Sequence, residues 1–226
     1  MQDCRKNTII YCYRMTHDYG INPCVFTENY KATPSLLTEG GCMKRIRQNI
    51  NKYWKEGINA GSIDAYLLAI AGKSNDKSRP KEERGNLITP NRNNLVFVAK
   101  ISNIMRIEEY LDSEISNNRR DRCTYSNSIK VEPQKRNEII ILSKKFCYFG
   151  KSAIEVPQNI IELFPYGERA MLNGKKIAQW NPKNGFYNLY ERPLETKELI
   201  SFINSILTDE NIVEKAYHPI ERRKSQ

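Results

Sequence analysis

Alternating and continuous runs of apolar residues along the chain predict four buried strands. Residues 139–142 form an unbroken apolar run between charged residues, which is typical of a strand buried on both faces. In residues 8–15, apolar and aromatic side chains fall on both faces of a predicted strand. Residues 95–101 are rich in β-forming residues. The apolar run 63–71 has a length compatible with strand or helix, and we favour a strand.

Helical spacing of apolar residues appears in two longer segments. In residues 42–55, apolar side chains recur at intervals of three, four and seven residues, and a polar, basic face lies opposite them. Residues 195–207 carry a similar apolar stripe. Shorter helices are predicted at 107–111 and after Pro157, because proline suits the first turn of a helix. Three polar segments are predicted to be loops, at 26–41, 73–94 and 117–136.

The length of 226 residues and the absence of a linker predict one domain over residues 1–210, followed by a basic tail at 211–226. No apolar run reaches the ~20 residues that span a membrane, and no signal peptide is evident, so we expect a cytoplasmic protein. The six cysteines form no CxxC pair, and the chain has two histidines. We therefore predict reduced thiols, no metal site and no cofactor.

Net charge points to the class of partner. Thirty-six basic against 26 acidic residues give +10, which favours a polyanion such as nucleic acid or a nucleotide. The alternative is a protein that is merely basic because an AT-rich genome favours Lys, Asn and Ile codons. The sequence lacks the motifs of nucleoside triphosphatases, dinucleotide-dependent enzymes and serine hydrolases, so it gives no support to assigning the protein to any of these three enzyme classes.

The dense turn after the first predicted strand carries the first group of candidate residues. This turn contains His17, Asp18, Tyr19, Gly20 and Asn22. Loops at strand ends commonly carry function, and His17 with Asp18 could act as an acid–base pair or hydrogen-bond a base edge. The alternative is a plain turn in which Asp18 caps the backbone.

Two further segments supply candidate cations and aromatic residues. Lys44 and Arg47 begin the first helix just after two glycines, where helix amides favour an anion, although a solvated basic face is the alternative. The aromatic corner that follows the central strand places Tyr148, Lys151 and Glu155 together. These three residues form either a pocket rim or a core strand with a tight turn.

Four segments of the chain together carry a resemblance to a known family. The most specific segment is the block from Leu142 to Pro157. The others are Tyr11-Cys12-Tyr13 with Asp18-Tyr19-Gly20-Ile21-Asn22-Pro23, Cys42-Met43-Lys44-Arg45-Ile46-Arg47, and 95–101. These segments resemble the second type of nucleotide modification associated domain, found in bacteria and phages beside DNA base-modification genes, and the resemblance spans most of residues 8–170. The chain departs from the family pattern at Met43, where the family has proline, and at Gly167-Glu168-Arg169, where the family's histidine is missing.

The resemblance implies an association with modified nucleobases. The order of predicted elements also resembles the PUA-like class, which includes EVE and ASCH domains. The resemblance to the PUA-like class implies an α+β fold with a mixed, partly closed β-barrel, flanking helices and a pocket for a base at the barrel mouth. We therefore expect a protein that recognises a modified nucleobase or nucleotide, with DNA preferred, in a bacterial or phage nucleic-acid-modification or defence system, and protein partners from the same operon.

In that hypothesis Tyr19 or Tyr148 stacks on the base, and Asp18 reads its edge. The ligand-binding set is completed by cations for phosphate and by turn residues, namely Lys44, Arg47, Lys151, Arg169, His17, Gly20 and Asn22. The alternative is a hydrolase or transferase that acts on a nucleotide or base, with Asp18 or Glu155 as general acid/base and Lys151 tuning its pKa. A third class is an interaction subunit of a defence complex.

Overall fold

The computed structural model describes residues 7–15, 18, 20–41, 44–71, 94–161, 171–172, 175–176, 186–188 and 193–214. Its strands are β1 (Asn7–Met15), β2 (Leu37–Glu39), β3 (Ile63–Ala71), β4 (Leu95–Lys100), β5 (Asn103–Arg106), β6 (Ile139–Ser143), β7 (Lys145–Tyr148), β8 (Met171–Leu172), β9 (Lys175–Lys176), β10 (Phe186–Asn188) and β11 (Ile212–Val213). Its α-helices are α1 (Lys44–Tyr53), α2 (Ile107–Asp112), α3 (Arg120–Val131), α4 (Gln158–Ile161) and α5 (Pro193–Ile206). A π-helical turn extends α1 at Trp54–Ile58, and 3-10 turns lie at Glu114–Ser116, Pro133–Asn137 and Gly150–Ser152.

A mixed six-stranded sheet in the order β10-β1-β3-β4-β7-β11 forms the centre of the molecule. β1 pairs in parallel with β3 along nine residues, and α1 lies in the crossover connection that a parallel pair requires. β7 and β11 are also parallel, whereas the other neighbours are antiparallel. The predicted α+β class is therefore confirmed. A closed barrel is not found, since β10 and β11 form the two edges of this sheet among the described strands.

Both faces of the central sheet are buried, which explains why β1 is apolar on both sides. On one face, Tyr11 and Phe97 belong to a core that includes Ile46 and Ile50 of α1. On the other face, strand residues such as Leu68 pack with the apolar stripe of α5. Helix α5 therefore covers one face of the sheet, while α1 and a second sheet cover the other. No helix in the described part of the chain is long and apolar enough to cross a bilayer.

The second sheet, in the order β2-β6-β5, lies between the main core and α2 and α3. Ile141 contributes to the main core, whereas Ile140 and Leu142 pack with Tyr110 and Tyr125 of α2 and α3. The predicted burial of 139–142 on both faces is thus confirmed, because successive side chains of β6 enter different cores.

A buried polar network attaches the segment before β2 to α2 and α3. Arg119 donates from Nη2 to the carbonyl of Cys24 at 2.7 Å and from Nε to the hydroxyl of Tyr110 at 3.1 Å. The carboxylate of Asp121 accepts hydrogen bonds from Tyr110, at 2.8 Å, and from Thr38. Since Asp121 has no exposed surface, these donors replace the water that its carboxylate loses on folding.

The predicted strands at 8–15, 63–71, 95–101 and 139–142 and both longer helices are present with shifts of a few residues. The predicted loop at 117–136 is wrong, because α3 and a 3-10 turn occupy most of it. Tyr125 is the large buried side chain of α3, but most other residues of this helix are polar, so the sequence shows no helical periodicity of apolar residues here. β11 extends the sheet beyond the predicted domain boundary at 210. The predicted loop residues 73–93 and the tail from 215 lie outside the described residues.

Candidate functional site

The turn after β1 folds back into the core through Asp18. Its side chain has no exposed surface, and Oδ2 accepts a hydrogen bond from the Tyr148 hydroxyl at 2.5 Å. Oδ1 accepts from the backbone N–H of Gly20 at 3.1 Å. Gly20 has a φ of 66°, a left-handed conformation that favours glycine. Asp18 therefore closes the turn and ties it to the end of β7.

Tyr148 lies in the core and not on a pocket rim. The residue is fully buried, and its ring meets Phe26 edge to face, with ring centroids 5.7 Å apart. Burial, followed by the charge and hydrogen bond of Asp18, holds the pKa of Tyr148 well above its ordinary value. The predicted stacking of a base on Tyr148 is not compatible with this packing, because neither ring face is open to solvent.

Asn22 joins the same turn to the segment after β2. Its Oδ1 accepts hydrogen bonds from the Gly41 N–H at 2.9 Å and from the Tyr125 hydroxyl at 2.6 Å. At Gly40 an added Cβ would lie 2.7 Å from Cγ1 of Ile140, so the chain can pass here only without a side chain. In this arrangement Asn22 and the two glycines hold the turn against β6 and α3.

The other predicted residues are divided between exposed positions and undescribed ones. Lys151 and Glu155 are exposed, in and just after the 3-10 turn that follows β7. Glu155 is thus open to solvent while Asp18 is enclosed, so the two carboxylates of the enzyme alternative lie in unlike environments. His17, Tyr19 and Arg169 lie outside the described residues.

Arg47 occupies a place different from the predicted phosphate site. It is 3% exposed, and its Nη1 donates to the carbonyl of Ile139 at 2.7 Å. Its Nη2 donates to Oε2 of Glu138 at 2.8 Å. The guanidinium therefore fastens α1 to the start of β6. Its location in α1 was predicted, but its engagement by Glu138 and by a strand carbonyl was not.

Lys44 lies on the open side of the same carboxylate. Its Nζ is 3.3 Å from Oε1 of Glu138, and the lysine side chain is 66% exposed while that of Glu138 is 20% exposed. Burial alone would raise the pKa of Glu138, but the hydrogen bonds and charges of Arg47 and Lys44 outweigh burial and lower that pKa. Glu138 is therefore an ionised carboxylate that still has surface open to solvent.

These three charged residues line a cleft of about 280 Å³ between α1 and the segment from Pro133 to Ile139. The complete lining is Lys44, Arg47, Gln48, Asn51, Gln134, Asn137, Glu138 and Ile139. Two cations and one carboxylate leave a net charge of +1, and four side-chain amides supply both donors and acceptors. The volume is close to the lower end of the range for small-molecule sites, which suits a single base or nucleotide.

Half of this cleft could be found in the sequence. Lys44, Arg47, Gln48 and Asn51 fall on the polar face that helical periodicity predicts for residues 42–55. The other wall was missed, because Gln134 falls in the predicted loop 117–136 and Glu138 was assigned only as a charged residue that bounds the central strand. The predicted ligand-binding residues are thus divided: Asp18 and Tyr148 meet inside the core, whereas Lys44 and Arg47 of α1 bind Glu138.

Comparison with known proteins adds no functional assignment. No family model, curated protein or solved structure matches this chain. The family resemblance noted above therefore rests on the residues of this sequence alone. Within the described ranges, no group of three or more His, Cys, Asp or Glu side chains is placed to hold a metal ion.

Proposed function

We propose that this protein recognises a nucleobase or nucleotide, with DNA preferred, and that the ligand binds in the cleft between α1 and the residues before β6. The observation that supports this proposal is the lining of the cleft, which combines a net positive charge with four amide side chains in a volume suited to one nucleotide. The net charge of +10 for the whole chain favours the same class of polyanionic ligand.

Each part of the cleft has a chemical task in this proposal. Lys44 binds phosphate, since its exposed ammonium is a mobile point charge that can approach a ligand. Gln48 and Asn51 are three residues apart on α1, so their amides lie on one face and can hydrogen-bond a base edge or sugar. Arg47 holds the wall in place and does not itself bind phosphate.

The biological setting of the proposal comes from the family resemblance. A modified base, a modification or defence system, and protein partners encoded beside this chain are parts of the proposal that the resemblance motivates. A PUA-like, partly closed barrel belongs to the same group of proposals. The size of the cleft is compatible with this proposal, because a modified base would be recognised as a single base separated from its neighbours in the strand.

Two lysines of α1 allow a matched test of the proposed site. Lys44 lines the cleft, whereas Lys52, about two helix turns further along α1, does not, and their side chains are 66% and 67% exposed. Lys44 pairs with Glu138, which is 20% exposed, and Lys52 pairs with Glu56, which is 48% exposed. Because both ammonium groups are well exposed, replacing either lysine should cost about 1 kcal/mol of folding free energy or less. Lys44→Ala and Lys52→Ala also change the net charge equally.

Binding of a short single-stranded DNA is measured by fluorescence anisotropy at several salt concentrations. We expect Lys44→Ala to weaken binding and to reduce the slope of log K against log salt by about 0.7, the value for one phosphate contact on a single strand. Lys52→Ala should leave the slope close to that of the unaltered protein. Equal slopes for the two variants, or no binding by the unaltered protein, would contradict the proposal.

A further inference from the structure

Two hydrogen-bond acceptors and one donor lie next to one another in the cleft, namely the two carboxylate oxygens of Glu138 and the ammonium of Lys44. Oε2 of Glu138 accepts from Arg47 at 2.8 Å, Oε1 lies 3.3 Å from the ammonium of Lys44, and the Glu138 side chain is 20% exposed. A carboxylate offers about four acceptor sites, and these two cations engage one on each oxygen. A ligand that approaches from solvent therefore meets two acceptors followed by one donor.

We propose that this arrangement selects guanine through its Watson–Crick edge, an inference that rests on the proposed function of the cleft. That edge presents the N2 amino group and N1–H as two donors, followed by the O6 acceptor. The two donors match the oxygens of Glu138, and O6 matches one of the three N–H donors of the Lys44 ammonium. A second N–H of Lys44 faces Glu138, and the third is the donor that binds phosphate in the proposed function. All three ligand atoms thus find partners of opposite hydrogen-bonding character.

The other bases leave at least one of these atoms without a suitable partner. Adenine presents one donor and then an acceptor, so one oxygen of Glu138 gains nothing. Cytosine offers one donor followed by two acceptors, and thymine or uracil places a carbonyl oxygen on each side of its single donor. A carbonyl oxygen against the ionised carboxylate is repulsive and is left desolvated without a hydrogen bond.

A guanine that is paired in a duplex does not fit this arrangement. In the major groove guanine shows only the N7 and O6 acceptors, which do not complement a carboxylate. Its Watson–Crick edge is free only in a nucleotide or in an unpaired strand. The ligand is therefore an unpaired guanine, free or within a single strand.

Comparing two nucleotides tests the inference on the unaltered protein. Guanosine 5′-monophosphate and inosine 5′-monophosphate differ only in the N2 amino group, and their binding is measured by calorimetry at constant salt. We expect the guanine nucleotide to bind roughly fivefold to a hundredfold more tightly, the range for loss of a specific base contact. Single strands of thymidine that contain one guanine or one inosine distinguish a nucleic-acid ligand from a free nucleotide.

Glu138→Gln provides a readout that a general loss of structure would not produce. This change removes a negative charge and one acceptor, so affinity for ribose 5-phosphate should rise while the preference for guanine over inosine falls toward one. Glu108→Gln is the control, because Glu108 pairs with Arg136 at the surface, 3.6 Å away, and does not line the cleft.

The outcomes separate this inference from the function on which it rests. Guanine preference that disappears in Glu138→Gln supports both. Equal binding of the guanine and inosine ligands overturns the guanine assignment and leaves nucleotide recognition standing. Failure of all these nucleotides and single strands to bind overturns both.

Discussion

Replacing Tyr148 by phenylalanine tests whether the turn after β1 is part of the folded core. The substitution removes one hydroxyl and keeps the ring that packs against Phe26. The lost group is the donor that lies 2.5 Å from the fully buried carboxylate of Asp18. The N–H of Gly20 still reaches that carboxylate, so the buried charge loses one of its donors but not all of them.

The expected cost follows from the type of hydrogen bond that is lost. A hydrogen bond to a charged group contributes about 1.5–3 kcal/mol to the free energy of unfolding. For a protein of this size, each kcal/mol lowers the melting temperature by about 2–4 °C, so we expect a decrease of roughly 3–12 °C. Urea unfolding followed by circular dichroism measures the free energy, and calorimetry measures the melting temperature.

Tyr30→Phe is the matched control for this prediction. Tyr30 is half-buried, and its ring lies against the guanidinium of Arg120 at 3.6 Å, a contact that phenylalanine keeps. We expect the control to change the free energy of unfolding by no more than about 0.5 kcal/mol.

Nucleotide affinity measured below the melting temperature should be the same for both variants and the unaltered protein. A Tyr148→Phe protein of normal stability that had lost nucleotide affinity would refute the assignment of this residue to the core.

Two further predictions concern buried titratable groups. Burial, with a smaller contribution from Asp121, raises the pKa of Cys24 to about 11, whereas Cys123 is exposed. Iodoacetamide at pH 8 should therefore alkylate Cys123 and leave Cys24 unmodified until urea unfolds the protein. Peptide mass spectrometry measures the labelling of each thiol, and equal labelling of both in the native protein would contradict the burial of Cys24. Burial, with the charge of Asp121, also raises the pKa of Tyr110 and Tyr125, so the unfolded chain binds fewer protons than the folded one above pH ~10, and stability should fall as pH rises through that value. Because the chain has 13 tyrosines and exposed ones ionise near pH 10 in the folded protein, the test compares the unaltered protein with Tyr110→Phe. The tyrosinate absorbance that this variant lacks should belong to the step that accompanies unfolding. Its loss from the step near pH 10 of the folded protein would show that this ring is accessible.

The fold was predictable where one pattern determined one structure. In β1 and β6, apolar residues at successive positions indicated burial on both faces, and the two cores they enter are distinct. α3 was not predictable in this way, because its stability comes from a few buried contacts, such as that of Tyr125, on an otherwise polar helix. Tertiary packing decided the structure of that segment.

The candidate site also has one part that local periodicity predicts and another that depends on tertiary contacts. Helical periodicity brought Lys44, Gln48 and Asn51 to one polar face, and this is the wall of the cleft that the sequence revealed. The direction of the Asp18 side chain was not predictable, since a turn sequence allows both an outward and an inward carboxylate. The pairing of Glu138 with α1 joins residues about 90 positions apart in the chain, a separation over which periodicity carries no information.

Hydrogen–deuterium exchange with saturating single-stranded DNA tests the location of the binding site most directly. We expect slower exchange in peptides from α1 and from Pro133–Asn137, which form the two walls of the cleft. Exchange around Gly20 and Tyr148, which are already enclosed in the core, should be unchanged. Protection confined to those core peptides, with α1 unaffected, would show that the ligand does not bind in this cleft.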